Sequence, residues 1–236
     1  MKRAQLELLL RARAEKKPTA LVTDLTSGAQ RLLIDGDASG DLEVDDRLAG
    51  EIDRARIDDR SLTVETERGK FFIQVFNPPR RMIVVGAVHI AQFLVPMAAI
   101  AGYAVTVVDP RGAFANDLRF PGVTLSQEWP DDALEALAPD RRTAVVTLTH
   151  DPKLDDPALA IALRSDVFYI GALGSRRTHA RRLDRLRELG ISDRALDRIN
   201  GPIGLDIGAV SPAEIAISIL GEITQTLHRP AADKAA

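Results

Sequence analysis

The sequence predicts an α/β protein whose larger part is a doubly wound parallel sheet. From residue 81 onward, short apolar runs rich in β-branched residues alternate with stretches that carry apolar residues at helical spacing. The runs are continuously apolar, which is typical of strands that are buried on both faces. Polar or glycine-rich loops follow their carboxyl ends, and this edge is where doubly wound sheets bind ligands.

The first strand–helix–strand unit gives the most specific evidence for this fold. Met82–Val85 reads as a buried strand that stops at Gly86, and Ile90–Ala101 as a helix. Ala104–Val108 reads as the next strand, and it ends at Asp109. An acid about 20 residues after a glycine turn is typical of a βαβ nucleotide-binding unit.

The glycine fingerprint of this unit departs from its usual pattern at one position. The pattern G-x-G-x-x-G/A aligns with Gly86, Val88 and Ala91. Val88 stands where a second glycine normally lets a pyrophosphate approach the backbone, so its branched side chain is expected to obstruct that approach. The turn alone therefore leaves two readings open: a nucleotide site, or a doubly wound fold that binds no nucleotide here.

The remaining elements are predicted from apolar periodicity, turn residues and caps. Further strands are expected at Thr19–Leu25, Arg31–Ile34, Ser61–Glu67, Lys70–Phe76, Val123–Leu125, Thr143–Leu148 and Val167–Ile170. Further helices are expected at residues 3–15, 45–57, 131–137, 158–163 (capped by Asp156), 176–189, 191–199 and 212–226. The Gly/Asp-rich stretch Asp35–Asp41 is expected to be a loop.

A proline-rich linker sets the predicted domain organisation. Asn77-Pro78-Pro79-Arg80 is a stiff segment, so we place the domain boundary there. Residues 1–77 form a small α+β N-terminal domain, residues 81–228 form the doubly wound domain, and residues 229–236 form a frayed tail.

Composition narrows the function classes. The chain has 236 residues, 45% hydrophobic content and a net charge of −3, which suits two cores and argues against nucleic acid as the main partner. Without cysteine, the chain has no disulfide, thiolate metal site or cysteine nucleophile, and its four histidines show no metal-ligand spacing. Charges interrupt the N-terminal leucines, so we expect an amphipathic helix in a soluble cytoplasmic protein, without a signal peptide.

The loops at the carboxyl ends of the strands supply the candidate site residues. Asp109 is a candidate for hydrogen bonds to ligand hydroxyls, or a cap for the next segment. His150 is a candidate ligand contact or proton shuttle, or a residue that orders its loop. His89 is expected to face either the ligand edge or the sheet.

The segment Gly174-Ser175-Arg176 opens a helix and is a candidate anion site, because free N–H groups, the helix dipole and an arginine meet there. The alternative is a glycine-hinged turn with solvated arginines. The later arginines of this helix are expected to lie on a solvated face, as are two histidines: Arg181, Arg182, Arg185, Arg187, His179 and His228.

At these loops the chain resembles the XdhC/CoxI family, the accessory factors of xanthine dehydrogenase and related molybdenum hydroxylases. The matching segments are IVVGAVHIA, VVDPR, LTHDPKLD, YIGALGSRRT, GPIGLDIGA and SPAEIAISILGEI. The resemblance implies a Rossmann-like C-terminal domain. It also implies a cytoplasmic chaperone that transiently binds the molybdenum cofactor (molybdopterin), protects it during sulfuration by a cysteine desulfurase, and helps to insert it into an apo molybdenum hydroxylase.

The chain departs from the family pattern at Val88, in its shortened and divergent N-terminal region, and in the absence of cysteine. Because of Val88, NAD(P) is not the expected ligand. A paralogous family member and a second copy of this chain are expected as further partners. Two other classes stay open, an NAD(P)-dependent oxidoreductase and a scaffolding paralogue. No catalytic residue is assigned. The expected cofactor-binding residues are Gly86, His89, Asp109, Arg111, Thr149, His150, Asp151, Gly171, Gly174, Ser175, Arg176, Gly204 and Asp206.

Overall fold

A computed structural model describes residues 2–228 of the chain. It divides the chain into two compact units, with the boundary between Pro78 and Pro79. The tail predicted at residues 229–236 lies outside the described residues. Within residues 2–228, no helix has the length and apolar character needed to cross a membrane.

The N-terminal unit is an antiparallel sheet with two helices. Its helices are α1 (Arg3–Ala14) and α2 (Asp46–Asp58). Its strands are β1 (Thr19–Asp24), β2 (Gln30–Ile34), β3 (Asp37–Gly40), β4 (Leu62–Thr66) and β5 (Gly69–Phe76), in the sheet order β3-β2-β1-β5-β4. Apolar residues of α2, such as Leu48 and Ile52, share one buried cluster with Val22 and Ile73 of the sheet.

The prediction of a loop at Asp35–Asp41 is wrong, because most of this stretch forms strand β3. The chain turns back after β2 through Asp35 and Gly36, whose φ angles are 46° and 95°. Ile34 then pairs with Asp37, so the connection is a two-residue hairpin. Asp-Gly is a favoured pair for such turns because both positions require positive φ, and this signal identifies a hairpin.

The C-terminal unit alternates strands and helices. Its strands are β6 (Arg81–Val85), β7 (Ala104–Val108), β8 (Thr124–Ser126), β9 (Thr143–Thr147), β10 (Tyr169–Ala172) and β11 (Ile199–Asn200). Its helices are α3 (His89–Ile100), α4 (Pro130–Leu137), α5 (Pro152–Arg164), α6 (Arg176–Glu188), α7 (Asp193–Leu196) and α8 (Pro212–His228).

The six strands form one parallel sheet in the order β11-β10-β9-β6-β7-β8. This order confirms the predicted doubly wound, Rossmann-like fold. The chain leaves β6 toward β7 and later returns to its other side as β9, so the strand order reverses between β6 and β9. Ligands of such sheets bind outside the carboxyl ends of the strands at this reversal.

Helices cover both faces of the parallel sheet, as its continuously apolar strands require. Met82 and Val84 of β6 belong to a buried cluster that includes residues of α3 and α8. Ile83 and Val85, which point to the opposite face, belong to a second cluster that includes residues of α4, α5 and α6. Alternate side chains of one strand therefore belong to two hydrophobic cores, one on each face of the sheet.

Helix α5 begins earlier than predicted. Its N-cap is Asp151, whose side chain accepts a hydrogen bond from the Lys153 N–H at 3.0 Å, and Pro152 occupies its first position. The predicted cap Asp156 lies inside the helix. Two Asp-Pro pairs, Asp151-Pro152 and Asp156-Pro157, follow β9, and the first of them starts the helix because it comes directly after the loop.

The helix predicted at Ile191–Ile199 is also wrong in part. Only Asp193–Leu196 is helical, with Ser192 as its N-cap. Ile199 and Asn200 instead pair with β10 as a parallel edge strand. The Asn200 side chain donates to the Ile170 carbonyl at 2.9 Å, which adds a further bond to this short edge.

Candidate functional site

The two loops at the strand reversal are packed directly against each other. Gly86, at the end of β6, has a φ of 109°, and a Cβ atom added there would lie 2.6 Å from Cγ2 of Thr149. Any larger residue would therefore separate the two loops or strain the backbone. The predicted glycine turn is thus also the contact between the β6 and β9 loops.

Asp109 closes one side of this edge, in a cluster that we call the Asp109 corner (Asp109, Arg111 and the Ala87 N–H). The carboxylate is fully buried. Its Oδ2 accepts a hydrogen bond from the Ala87 N–H at 2.8 Å, and its Oδ1 accepts from the Arg111 N–H at 3.0 Å and Nε at 2.8 Å. Arg111 Nη2 completes a bidentate ion pair with Oδ2 at 2.8 Å.

Protein donors therefore occupy both carboxylate oxygens of Asp109. Burial alone acts to raise the pKa of Asp109, but the hydrogen bonds from Arg111 and from the Ala87 N–H outweigh it, and the pKa lies below its ordinary value. The charged carboxylate ties the loop after β7 to the turn after β6.

Arg119 is a residue of this edge that sequence reasoning missed. Its Nη1 donates to the carbonyls of Ala87 and Phe114, each at 2.8 Å. The guanidinium of Arg111 lies over the Phe114 ring at 4.8 Å. The irregular segment 112–122 is thereby fastened to the β6 turn. This segment has few clear apolar periods, so no local pattern in the sequence singled out Arg119.

On the other side of the reversal, Asp155 of α5 holds the Thr149–Asp151 loop. Thr149 Oγ1 donates to Asp155 Oδ1 at 2.6 Å, and the His150 N–H donates to Oδ2 at 3.1 Å. His150 has a φ of 63°, an uncommon conformation for a residue other than glycine. Its side chain is exposed at the carboxyl edge of the sheet.

Arg182 of α6 is the counter-ion of Asp155, and the two form what we call the Asp155 corner. Only 1% of each residue is exposed, and Nη2 of Arg182 lies 3.6 Å from Oδ2 of Asp155. The same Nη2 donates to the Leu173 carbonyl at 2.8 Å, whereas Nε and Nη1 have no hydrogen-bond partner among the described residues. Burial raises the pKa of Asp155 and lowers the pKa of Arg182.

The prediction that the later arginines of α6 are solvated is wrong for Arg182 and Arg185. Arg182 is buried, and Arg185 makes a bidentate ion pair with Asp156 of α5. Arg187 pairs on the surface with Asp184 and Asp193, and Arg181 is exposed. Both errors share one cause, since the acidic partners come from α5, which is distant in sequence.

His179 is not solvated as predicted, because it is half-buried against Gly201. Its Nδ1 has no hydrogen-bond partner among the described residues, and burial lowers the pKa of the imidazole. The ring fills the space that a side chain at Gly201 would occupy. His228, in contrast, is exposed as predicted.

The start of α6 has the geometry that the sequence predicts. Ser175 is the N-cap, and its Oγ accepts from the Thr178 N–H at 3.2 Å. Gly174, with a φ of 147°, allows the chain to turn from β10 into the helix. Arg176 is exposed, and its side chain has no hydrogen-bond or ion-pair partner within residues 2–228. The first N–H groups of the helix also lack intrahelical acceptors.

Other predicted site residues lie in more varied surroundings. His89 is exposed and its ring centroid lies 5.4 Å from that of Phe93. Gly171 faces the side chain of Ile203, and Gly204 faces Ser218 of α8, so protein atoms fill the space beside both glycines. Asp206 is exposed on the loop that follows β11.

A partly buried contact fixes this last loop to the sheet. Glu222 Oε2 accepts hydrogen bonds from the Tyr169 hydroxyl and from the Gly204 N–H at 2.9 Å. Burial raises the pKa of Tyr169 well above its ordinary value. In residues 2–228 no three His, Asp or Glu residues are grouped as they would be to hold a metal ion.

Comparison with known proteins identifies the C-terminal unit. Residues 82–223 match the model of the XdhC Rossmann domain. A solved structure described as a xanthine dehydrogenase from Bacillus halodurans superposes with a TM-score of 0.75 at 24% identity, over 98% of this chain and 66% of that chain. At this identity the match supports the fold alone.

Three curated relatives match about two thirds of the chain. They are YqeB of Escherichia coli (34% identical, 65% of this chain and 28% of the relative) and the molybdenum cofactor insertion chaperone PaoD of E. coli (33%, 65% and 42%). The third is a probable xanthine dehydrogenase subunit of Bacillus subtilis (32%, 68% and 47%). The chain thus spans less than half the length of each relative. It belongs to the family of proteins built on the XdhC Rossmann domain.

Proposed function

We propose that this protein is an accessory factor that binds the molybdenum cofactor and assists its insertion into a molybdenum hydroxylase such as xanthine dehydrogenase. Two relatives carry names of this kind, an insertion chaperone and a xanthine dehydrogenase subunit. The proposal extends to transient binding during sulfuration by a cysteine desulfurase. It also includes association with a paralogous family member or with a second copy of this chain.

The observation that carries the proposal is the start of α6 at the carboxyl edge of the sheet. The first N–H groups of the helix and the exposed side chain of Arg176, which has no partner among residues 2–228, offer donors to an anion. The phosphate of a pterin cofactor is an anion that these donors fit, because charge-assisted bonds from arginine suit phosphate oxygens. Gly174 leaves no side chain in front of such a group.

The β9 loop supplies the groups that face the rest of the ligand in this proposal. His150 presents an exposed imidazole at the strand reversal, and its ring nitrogens can donate or accept hydrogen bonds. The residues of this edge bind and orient the cofactor in the proposal, and none is assigned a bond-making step.

A nicotinamide dinucleotide fits this edge less well. Val88 replaces the glycine beside which a pyrophosphate would pass, and the side chain packs against the buried cluster beneath α3. Asp109, the residue expected to accept hydrogen bonds from a ribose, already accepts them from Arg111 and Ala87. These contacts favour the cofactor-chaperone proposal over an NAD(P)-dependent oxidoreductase.

The substitution Arg176→Glu tests the phosphate contact. Loss of one or two charge-assisted hydrogen bonds, each about 1.5–3 kcal/mol, is expected to weaken pterin binding at least about tenfold. Thermal stability is expected to change little, because an acid in the first turn suits the helix dipole. Binding is measured by fluorescence titration with molybdopterin released from a purified molybdenum hydroxylase.

The matched control is Arg181→Glu on the same helix, which makes the same charge change at an exposed side chain. Arg185 is unsuitable as a control because it pairs with Asp156. Equal losses from the two variants would indicate general electrostatic attraction, and unchanged affinity in Arg176→Glu would remove Arg176 from the site.

A further inference from the structure

We propose that Asp155 and Arg182 are a buried positioning pair that sets the Thr149–Asp151 loop and the Leu173–Ser175 loop at a fixed spacing. The two loops end neighbouring strands, β9 and β10, and they flank the proposed cofactor site. The identity of the ligand that these two loops would contact rests on the proposed function. The mechanical link between the loops rests only on the contacts of the two side chains.

Asp155 holds the first loop through two different kinds of donor. The Thr149 hydroxyl donates to one carboxylate oxygen at 2.6 Å, and the His150 backbone N–H donates to the other at 3.1 Å. The second bond fixes a residue in the left-handed region, where His150 has a φ of 63°. The carboxylate thereby holds the backbone that presents the His150 imidazole.

Arg182 holds the second loop from beneath. Nη2 donates to the Leu173 carbonyl at 2.8 Å and lies 3.6 Å from the Asp155 carboxylate. A Cβ added to Gly174 would lie 3.7 Å from this same nitrogen, so the guanidinium directly supports the turn into α6. One nitrogen atom therefore contacts both the loop carbonyl and the carboxylate that holds the other loop.

Stability alone does not explain this pair. A buried ion pair loses the hydration of both charges, and well-packed apolar residues of similar volume are often as stable. Here the loss of hydration is only partly compensated, because Nε and Nη1 of Arg182 have no hydrogen-bond partner among the described residues. What the pair does provide is a directional link between two loops, which apolar side chains cannot provide.

Amide hydrogen exchange on the full-length, ligand-free protein tests the link. In Arg182→Met we expect exchange at least about tenfold faster at His150, Leu173 and Thr178, whose N–H groups donate to Asp155, Thr147 and Ser175, while the amides of β6 and β9 keep their protection. The matched control Arg181→Met changes the neighbouring exposed arginine and should leave both loops unchanged. Arg182→Lys keeps the charge, and it should restore part of the protection at His150.

Arg182→Met leaves an unpaired buried carboxylate and can fail to fold, so the double variant Asp155→Asn/Arg182→Met provides a second test without buried charge. The side-chain amide oxygen in this double variant can still accept from the His150 N–H, but the link to Leu173 is absent. We expect faster exchange at Leu173 and Thr178, the hydrogen-bonded amides of the second loop and of the helix start. Wild-type exchange at both loops in either folded variant would overturn the proposal, as would a change confined to one loop in Arg182→Met.

Pterin titration of the same variants separates the two proposals. If wild-type protein binds molybdopterin, Arg182→Met should bind it at least about tenfold more weakly, with partial rescue in Arg182→Lys. Full affinity in a variant with loosened loops would overturn the positioning role. If wild-type protein binds no pterin, the proposed function fails, whereas the exchange data still decide whether the pair links the loops.

Discussion

Two buried aspartates flank the strand reversal, and they are satisfied in different ways. Asp109 accepts four hydrogen bonds, and its partner Arg111 keeps 42% of its side chain exposed. Asp155 pairs at 3.6 Å with Arg182, whose side chain is only 2% exposed and has two nitrogens without partners among the described residues. In the Asp109 corner both carboxylate oxygens are bonded and the arginine is partly exposed, whereas in the Asp155 corner both side chains are buried and the arginine is incompletely bonded.

This difference indicates different roles for the two corners. The Asp109 corner fastens the β6 turn to the loop after β7, and the partly exposed guanidinium of Arg111 can be hydrated if a bond breaks. The Asp155 corner joins two loops through one guanidinium, and both of its charged side chains are buried. Removing one member should therefore be more damaging at the Asp155 corner.

The largest effect is expected from Asp155→Ala. It leaves Arg182 buried without a counter-ion, so the free energy of unfolding should fall by roughly 3–5 kcal/mol. Urea unfolding followed by the fluorescence of Trp129, the single tryptophan, reports on the C-terminal unit. The neighbouring Asp156→Ala is the control, and it should cost roughly 1–2 kcal/mol because Arg185 can be hydrated. Equal losses of unfolding free energy in the two variants would contradict the distinction between the buried Asp155–Arg182 pair and the partly exposed Asp156–Arg185 pair.

A smaller loss is expected from Asp109→Ala. It deprives the buried Ala87 N–H of its acceptor but lets Arg111 turn to water, so we expect a loss of roughly 1–3 kcal/mol in the same urea assay. Asp109→Asn retains an acceptor for the Ala87 N–H and should lose less. A loss from Asp109→Ala greater than that from Asp155→Ala would reverse the comparison.

The two carboxylates should also respond to pH with opposite sign. The pKa of Asp109 is lowered by folding, so its stabilisation is present above about pH 4 and is lost as the pH falls through the folded pKa. The pKa of Asp155 is raised, so its contribution is most favourable below about pH 4 and is lost as the pH rises through the folded pKa.

Urea unfolding from about pH 3 to 7 of wild type, Asp109→Asn and Asp155→Asn measures this difference. The stability advantage of wild type over Asp109→Asn should shrink toward acid pH, while wild type should gain relative to Asp155→Asn. If the two stability differences between wild type and variant changed with pH in the same direction, the two carboxylates would not differ in the way that their surroundings indicate.

The smallest effect is expected at Val88, beside the Asp109 corner. Wild-type protein should show no micromolar affinity for NAD or NADP in calorimetric titration, because Val88 and the occupied Asp109 close this corner to a dinucleotide. Val88→Gly should improve binding of pyrophosphate-containing ligands, at a stability loss of roughly 1–2 kcal/mol for lost packing and added chain freedom. Micromolar binding by wild type would show that the corner opens.

Local patterns predicted the fold well. The strand–turn–helix–strand unit from β6 to β7 depends on contacts between sequence neighbours, and its strand Ala104–Val108 has the predicted bounds. The capping box at the start of α8 is also present, with the Glu214 carboxylate accepting from the Ser211 N–H at 2.8 Å. Such signals are complete within a few residues, so the sequence alone reveals them.

Long-range partners could not be predicted in the same way. Nothing in the local sequence distinguishes Arg182 from the other arginines of α6. Its burial follows from the position of Asp155 on another helix. Asp156 similarly resembled a helix cap because Pro157 follows it, yet it pairs with Arg185. The sequence identified the site residues that lie in local turns at the strand ends. Arg119 and Arg182 could be identified only from the folded structure, because their partners are distant in sequence.

The identity of the bound ligand is the most direct test of the proposed function. Protein purified from cells that make the molybdenum cofactor can be denatured, and the released small molecules identified by mass spectrometry. We expect a pterin phosphate from wild type, and at least about tenfold less from Arg176→Glu than from Arg181→Glu. Release of a nicotinamide dinucleotide, or of no pterin from wild type, would contradict the role as a cofactor chaperone.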